Sequence, residues 1–114
     1  MSIPAEVAFD RAALVSRLEG DEELVQEIVA LFIEDGAVQV DKLRAAVAAA
    51  ALEEAARIAH TVKGAAANVS AEAIRGLSHR VEAAAREGHA EQAGPLVDRI
   101  EHELDRLRQA LGAS

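Results

Sequence analysis

Apolar residues recur at intervals of three and four along most of the chain, the spacing that places them on one face of an α-helix. The first such segment follows Asp10, which can cap a short helix that ends at Gly20. Its apolar positions are Ala13, Leu14 and Leu18. Strand-like alternation of apolar and polar residues does not occur. The pattern therefore predicts an all-α protein.

A second helix is predicted to begin at Asp21, another residue suited to the N-cap. Glu22 and Glu23 would lie in its first turn, where negative charge is favourable. We expect this helix to stop near Gly36. Its apolar stripe is read as Leu24, Val25, Ile28, Leu31 and Phe32.

The segment from Ala37 to Val69 contains neither a proline nor a cluster of turn residues. One helix of that length would exceed what an ordinary globular domain supplies. We therefore expect a break in the helix. The segment from Ala48 to Leu52 is where the pattern least requires the helix to continue. No residue there compels a turn.

Two further helices complete the predicted fold. One should run from about Ala71 to Arg86 and end at Gly88, and the other should begin near Pro95, which suits a first-turn position. Their inward positions would be Ile74, Leu77, Val81 and Ala85 in the first, and Val97, Ile100, Leu104, Leu107 and Leu111 in the second. The elements predict a four-helix bundle with a short additional N-terminal helix, a single domain over residues 1–114 with its core from about 9 to 111.

The composition narrows the classes of protein that need to be considered. Of the 114 residues, 27 are alanine and two are phenylalanine, so Leu, Ile, Val and Ala should build the core. A net charge of −8 argues against nucleic-acid binding, which needs a basic face. Without a membrane-length apolar run or a signal peptide at Met1 to Asp10, we expect a cytoplasmic protein with no membrane partner.

Among the four histidines, His60, His79, His89 and His102, the first has an unusual setting. On a helical wheel, the core face of its helix would contain Ala55, Ile58, Val62, Ala65 and Val69. His60 lies about 160° from both Ile58 and Val62, so it should point outward. Its neighbours on that outer face would be Ala56, Arg57, Lys63, Gly64 and Ala67.

This outer face combines small residues with two cations in an acidic protein. Gly64 inside a helix costs roughly 1 kcal/mol relative to alanine. It is either tolerated by accident, needed for a close helix crossing, or kept to leave His60 open to another macromolecule. A neutral imidazole is a competent nucleophile near pH 7. Lys63 could offset charge on a phosphoryl group held at the ring, or could simply be a solubilising surface lysine.

The segment Ala59 to Val69, AHTVKGAAANV, resembles the central motif of histidine-containing phosphotransfer (HPt) domains. That motif has an alanine before the histidine, a Lys-Gly pair three and four residues after it, then small residues and Asn. The resemblance extends to Val81–Gly88, to Gly20–Leu24 and to Leu31–Phe32. It thus covers most of the chain, roughly from Phe9 to Leu111.

The resemblance implies a bundle that accepts phosphate from one aspartate-bearing receiver domain and passes it to another. By the match, His60 is the phosphoacceptor, with Lys63 and Gly64 as supporting positions. Glu82 matches a position near the imidazole where the family commonly has Gln. A glutamate there would fix the ring tautomer, although it would repel the phosphorylated form. Ser70 stands where the family usually has Gly, and it could cap the next helix.

The implied partners are receiver domains and a hybrid histidine kinase, with the chain itself acting as a monomer. The chain has no Gly-rich phosphate loop and no room for an ATP-binding domain, so it should relay phosphate and not generate it. We expect it to need no cofactor, because Mg²⁺ would come with the acidic pocket of the receiver.

Two other functions compete with this interpretation. Di-iron bundles use Glu-x-x-His pairs, but the residues three before the histidines are Arg57, Gly76, Arg86 and Arg99. A metal-binding bundle is therefore poorly supported. A helical interaction module without chemistry is the alternative if the motif is coincidental.

Overall fold

The computed structural model describes residues 8–112, and within them every regular element is an α-helix. The helices are α1 (Arg11–Arg17), α2 (Glu22–Ala48), α3 (Leu52–Asn68), α4 (Glu72–Arg86) and α5 (Ala90–Gly112). The predicted class, four long helices with a short N-terminal one, is confirmed. Both ends of the predicted domain, residues 1–7 and 113–114, lie outside the described residues. Most of Met1 to Asp10, the segment that was searched for a signal peptide, therefore lies outside them as well.

Both predicted N-caps form. The carboxylate of Asp10 accepts a hydrogen bond from the Ala13 amide at 3.0 Å, and that of Asp21 accepts one from the Leu24 amide at 3.0 Å. Each bond satisfies one of the amides that a helix start leaves without a carbonyl partner. Local sequence alone therefore determines where α1 and α2 begin.

The predicted stop of α2 near Gly36 is wrong. Gly36 lies buried in the middle of the helix, and a Cβ atom there would come within 3.0 Å of the Leu104 side chain. The glycine thus permits close packing of α2 against α5 and does not end the helix. The predicted stripe is also partly wrong, because Leu24 and Leu31 are exposed. The buried positions of α2 are Val25, Val29, Phe32, Ile33, Gly36, Val40, Leu43 and Ala46.

The predicted break between α2 and α3 is present at residues 49–51. Ala50 adopts a left-handed backbone, with φ of 55°. The Ala51 amide bonds the Ala46 carbonyl at 2.8 Å and the Ala50 amide bonds the Val47 carbonyl at 3.0 Å. These two bonds form a Schellman motif, which usually has glycine at the left-handed position. Its backbone bonds need no particular side chain, which is why the turn is inconspicuous in the sequence.

Ser70 plays a different part from the cap that its side chain suggests. It holds the left-handed position after α3, with φ of 60°, and Ala71 is the N-cap of α4 without a side-chain bond. The carbonyl of Ser70 accepts from the Asp10 amide at 2.9 Å, and its hydroxyl accepts from Arg17. The turn therefore survives without glycine and ties α1 to the junction of α3 and α4.

The boundaries of α4 match the prediction and its four predicted inward residues are buried, whereas α5 begins at Ala90, five residues earlier than expected. Pro95 lies inside α5, where it leaves the Glu91 carbonyl without its helical amide partner. Both residues are exposed near the start of the helix, so water can reach that carbonyl. The helix therefore tolerates Pro95 in its second turn, and the prediction that it begins at Pro95 is wrong.

The four long helices pack in the cyclic order α2, α3, α4, α5, with α5 returning against α2. Their shared core consists mainly of Leu, Ile, Val and Ala side chains, as the composition predicts. In this arrangement α3 lies between α2 and α4, and its outer face lies opposite the core. Over residues 8–112, no helix has the length and apolar character needed to cross a membrane.

Candidate functional site

His60 lies at the middle of α3 and points away from the core. Ile58 and Val62, two residues to either side, are buried, whereas 64% of the His60 side chain is exposed. The predicted outward direction is therefore correct. One of its predicted outer-face neighbours is not on the surface, because Ala56 is buried. Ala56 belongs to the buried core cluster instead.

A buried carboxylate lies beside this exposed ring. Glu82 lies on the side of α4 that faces α3, and 10% of its side chain is exposed. Its Oε2 lies 3.1 Å from Nδ1 of His60. The predicted meeting of Glu82 with the imidazole is thus present in the structure. It joins residues that are 22 positions apart in the chain.

Two cations share the same carboxylate. Nζ of Lys63 donates to Oε1 at 2.7 Å, and the guanidinium of Arg86 donates to Oε2 at 2.9 Å. The structure therefore brings Lys63 to the site through Glu82. The sequence analysis did not assign Arg86 to the site. Its four-residue spacing from Glu82, typical of ion pairs along one helix, is the signal that could have indicated it.

These contacts keep Glu82 ionised. The hydrogen bond from Lys63 is the main cause that lowers the pKa of Glu82 to about 2, with smaller contributions from Arg86 and from His60. Burial acts in the opposite direction, because a carboxylate loses hydration there. Because Glu82 is buried, removal of these partners would leave an unpaired buried charge, which is costly.

The carboxylate determines which nitrogen of the neutral ring is reactive. An ionised carboxylate has only acceptors, so Nδ1 of His60 must carry the hydrogen in this contact. The lone pair then resides on Nε2, the other ring nitrogen of a largely exposed side chain. The arrangement presents one oriented nucleophilic nitrogen to the solvent.

The surface next to the ring is open on the side of Gly64. A Cβ atom at this position would meet no atom of residues 8–112 within 4 Å beyond its own helical turn. A close helix crossing, which accounts for Gly36, is therefore not the reason for this glycine. On the other side, an open groove is lined by residues 51–54, Arg57, His60, Thr61 and Arg86. A macromolecule can reach the imidazole from outside.

The other histidines have different surroundings. His79 and His102 are exposed, and Nδ1 of half-buried His89 lies 3.7 Å from a carboxylate oxygen of exposed Glu87. In the described part of the chain, His60 is the histidine with a hydrogen bond to a buried carboxylate. Nor do three or more His, Asp or Glu side chains between residues 8 and 112 group together as a metal site.

The depressed pKa of Glu82 predicts a specific loss of stability in acid. Because this pKa is about 2 in the folded chain and higher in the unfolded one, ionised Glu82 stabilises the fold at neutral pH. That contribution is complete above about pH 4.5 and is lost as the pH falls towards 2. Glu82→Gln should therefore reduce the free energy of unfolding by up to about 3 kcal/mol at pH 7, with the difference shrinking in acid.

Urea denaturation of both proteins at pH 7 and at pH 3 measures this difference. Glu34→Gln is the control, because Glu34 is exposed in the middle of α2, and it should follow the wild type at both values. An equal deficit of Glu82→Gln at pH 7 and pH 3 would contradict the assigned role of the ionised carboxylate.

The chain was compared with protein families, curated proteins and solved structures. The family model described as Hpt domain matches residues 27–110. A crystal structure of histidine-containing phosphotransfer protein B (HptB) from Pseudomonas aeruginosa PAO1 is similar, with 26% identity and a TM-score of 0.85. That match covers 98% of this chain and 95% of the other. The comparison with curated proteins found no match.

Proposed function

The chain belongs to the Hpt domain family, and we propose that His60 is the residue on which it carries the phosphoryl group. Histidine phosphotransfer in a phosphorelay is the function of the chain, and its partner classes are receiver domains and histidine kinases. The observation that carries the assignment to His60 is the exposed imidazole whose Nδ1 is held by the buried carboxylate of Glu82.

The transfer step follows from the tautomer. The lone pair on Nε2 attacks the phosphorus of an aspartyl phosphate on the receiver, and an N–P bond forms as the P–O bond breaks. The aspartate leaves as a carboxylate, so the step requires no proton transfer. Nδ1 keeps its hydrogen and its bond to Glu82 throughout, and the positive charge that develops on the ring is stabilised by that carboxylate. Reversal of the step delivers the group to a second receiver.

The local charges suit a phosphoryl group despite the glutamate. Glu82 contributes one negative charge, while Lys63 and Arg86 contribute one positive charge each, which leaves an excess of one positive charge beside the ring. The repulsion expected between Glu82 and phosphohistidine is therefore offset. We propose that Lys63 supplies charge stabilisation, that Glu82 orients the imidazole, and that Gly64 gives the partner access.

The chain is proposed to act without binding ATP or a cofactor of its own. The Hpt family is a phosphocarrier family and not a kinase family, and a hybrid histidine kinase would supply the phosphate. Mg²⁺ would belong to the acidic pocket of the receiver. We further propose a monomer that works in the cytoplasm together with its receiver partners.

The chemistry of the label tests this proposal. The chain is incubated with Mg²⁺ and a panel of receiver domains that carry labelled phosphate, and the label that it acquires is exposed to acid and to alkali. An N–P bond on histidine should be lost in acid and persist in alkali, while ATP alone should give no label. A label that is lost in alkali would place the group on a carboxylate or hydroxyl. No label from any receiver would favour the interaction module.

A further inference from the structure

The interior of the bundle contains a hydroxyl group without a hydrogen-bond partner. Ser78 of α4 is 0% exposed, and its Oγ has no partner among residues 8–112. A buried polar group in this condition lowers stability and calls for an explanation. Small size does not supply one, because alanine is no larger, and α3 has alanine at buried positions 56, 59 and 66. The hydroxyl itself is therefore the feature to explain.

Ser78 lies one helical turn from Glu82, on the side of α4 that meets α3. The two positions differ by about 40° on the helical wheel, and residues four apart have Cβ atoms about 5–6 Å from each other. Helical side chains lean towards the N-terminus of their helix, so that of Glu82 leans towards the turn that carries Ser78. Rotation of the serine side chain and a small shift of the carboxylate would bring the two groups into hydrogen-bond contact.

The oxygen of Glu82 that Ser78 could reach already has a donor. Oε1 accepts from Lys63, whereas Oε2 is shared by His60 and Arg86. Lys63 is nearer than His60 to the turn between α3 and α4, and Ser78 is nearer than Glu82 to the same turn. Oε1 is therefore the oxygen on the Ser78 side. An ammonium makes a stronger bond to a carboxylate than a hydroxyl does, so Lys63 takes this position in preference.

Phosphorylation of His60 would draw Lys63 away from Glu82. The phosphoryl group adds negative charge at Nε2, while Nδ1 stays directed at Glu82. Because the two ring nitrogens point in different directions, one ammonium cannot bond well to both the carboxylate and the phosphoryl group. Lys63 has a flexible stem and a partly exposed side chain, so it can follow the new charge. Its departure would leave Oε1 of a buried carboxylate without a donor, which is costly.

We propose that Ser78 is a positioning residue, a reserve donor that bonds Oε1 of Glu82 when Lys63 moves to the phosphoryl group on His60. The inference rests on the proposed roles of His60 and Lys63. Glu82 then keeps donors on both oxygens before and after phosphorylation, and it continues to hold Nδ1 of the ring. Ser78 touches neither the phosphoryl group nor the partner, and it acts through Glu82.

A double-mutant cycle measures whether Ser78 can replace Lys63. Lys63→Met removes the ammonium, while His60 and Arg86 still hold Oε2. Urea denaturation at pH 7 compares both backgrounds with and without Ser78→Ala. In the wild-type background, Ser78→Ala should leave the unfolding equilibrium constant unchanged or lower it, because an unpartnered polar atom is removed. In the Lys63→Met background it should raise that constant about tenfold, because a bond to a charged group is lost.

Ser16→Ala is the matched control, because it removes an exposed hydroxyl from α1. It should have the same small effect in both backgrounds. An equal effect of Ser78→Ala in the two backgrounds would overturn the proposal. So would destabilisation of the wild-type background by Ser78→Ala, because the hydroxyl would then already have a partner while Lys63 is in place.

The equilibrium of phosphoryl transfer tests the same substitution in the phosphorylated protein. The chain is labelled with phosphoramidate, a small donor that needs no protein interface. It is then mixed with Mg²⁺ and the receiver that labels the wild-type chain fastest in the panel described above. Ser78→Ala should shift the distribution of label about tenfold towards the receiver, because only the phosphorylated chain uses the hydroxyl. A merely structural serine would leave this equilibrium unmoved, and that result would refute the reserve donor.

Failure of this inference differs from failure of the proposed function. The unfolding cycle involves no phosphate, so additive effects of Ser78→Ala and Lys63→Met would refute the role of Ser78 while His60 still accepted label. Failure of the wild-type chain to be labelled by either donor would instead overturn the proposed function.

Discussion

Replacement of His60 with Gln is expected to abolish phosphate labelling while the fold stays intact. The side chain is 64% exposed, so its replacement removes little core packing. Glutamine can still donate a hydrogen bond to Glu82, and Lys63 and Arg86 keep that carboxylate paired. The free energy of unfolding should therefore change by less than about 0.5 kcal/mol, as for most surface substitutions.

Labelling by the receiver and by phosphoramidate, together with a urea unfolding curve, measures both parts of this expectation. His79→Gln is the control, because His79 is an exposed histidine on α4, and it should accept label normally. Label on the His60→Gln protein at the wild-type level, or its appearance on His79, would remove His60 from the mechanism. Unfolding of His60→Gln would show that the bond to Glu82 supports the bundle.

Replacement of Gly64 with Gln should slow transfer from the receiver while stabilising the protein. A side chain at this position meets open space in the described structure, so overpacking is not expected. Replacing a glycine inside a helix should increase the free energy of unfolding by several tenths of a kcal/mol, which raises Tm by about 2–4 °C. A long side chain beside His60 would hold the receiver away from Nε2, and a misplacement of 1 Å can reduce a rate roughly 100-fold.

Gly76→Gln is the matched control for this substitution. Gly76 lies inside α4, and a Cβ atom there also meets no described neighbour within 4 Å beyond its own turn. Its direction on the wheel differs from that of Glu82 by about 120°, so it points away from the site. Both variants should melt above the wild type, but only Gly64→Gln should lose transfer. Normal transfer by Gly64→Gln would show that His60 is approached from another side, and its unfolding would refute the open-surface argument.

Prediction from sequence succeeded where the determining interactions are local. Asp10 and Asp21 bond amides three residues ahead, so the starts of α1 and α2 are encoded within one turn. The stripe of α4 is regular, and its predicted inward residues are buried. The outward direction of His60 also needs only the helical period and the apolar residues on either side of it.

The errors arose at positions whose role depends on a neighbouring helix or on the backbone alone. Gly36 resembles a helix stop until Leu104 of α5 is placed against it. The break before α3 was predicted correctly, but Ala50 and Ser70 hold left-handed turn positions where glycine is usual, so neither turn has its customary signal. Leu24 and Leu31 match a helical stripe, yet both face away from the core.

The sequence by itself determined the helical class, two N-caps, the regular stripe of α4 and a presented histidine, because each follows from spacing within one helix. Only the tertiary structure decided which side of α2 is buried, since that depends on where α3 and α5 pack. It also brought Lys63, Arg86 and His60 together on Glu82, a cluster whose members come from two helices. The tautomer of the proposed phosphoacceptor depends on that cluster, because its charge balance exists only once α3 and α4 are packed.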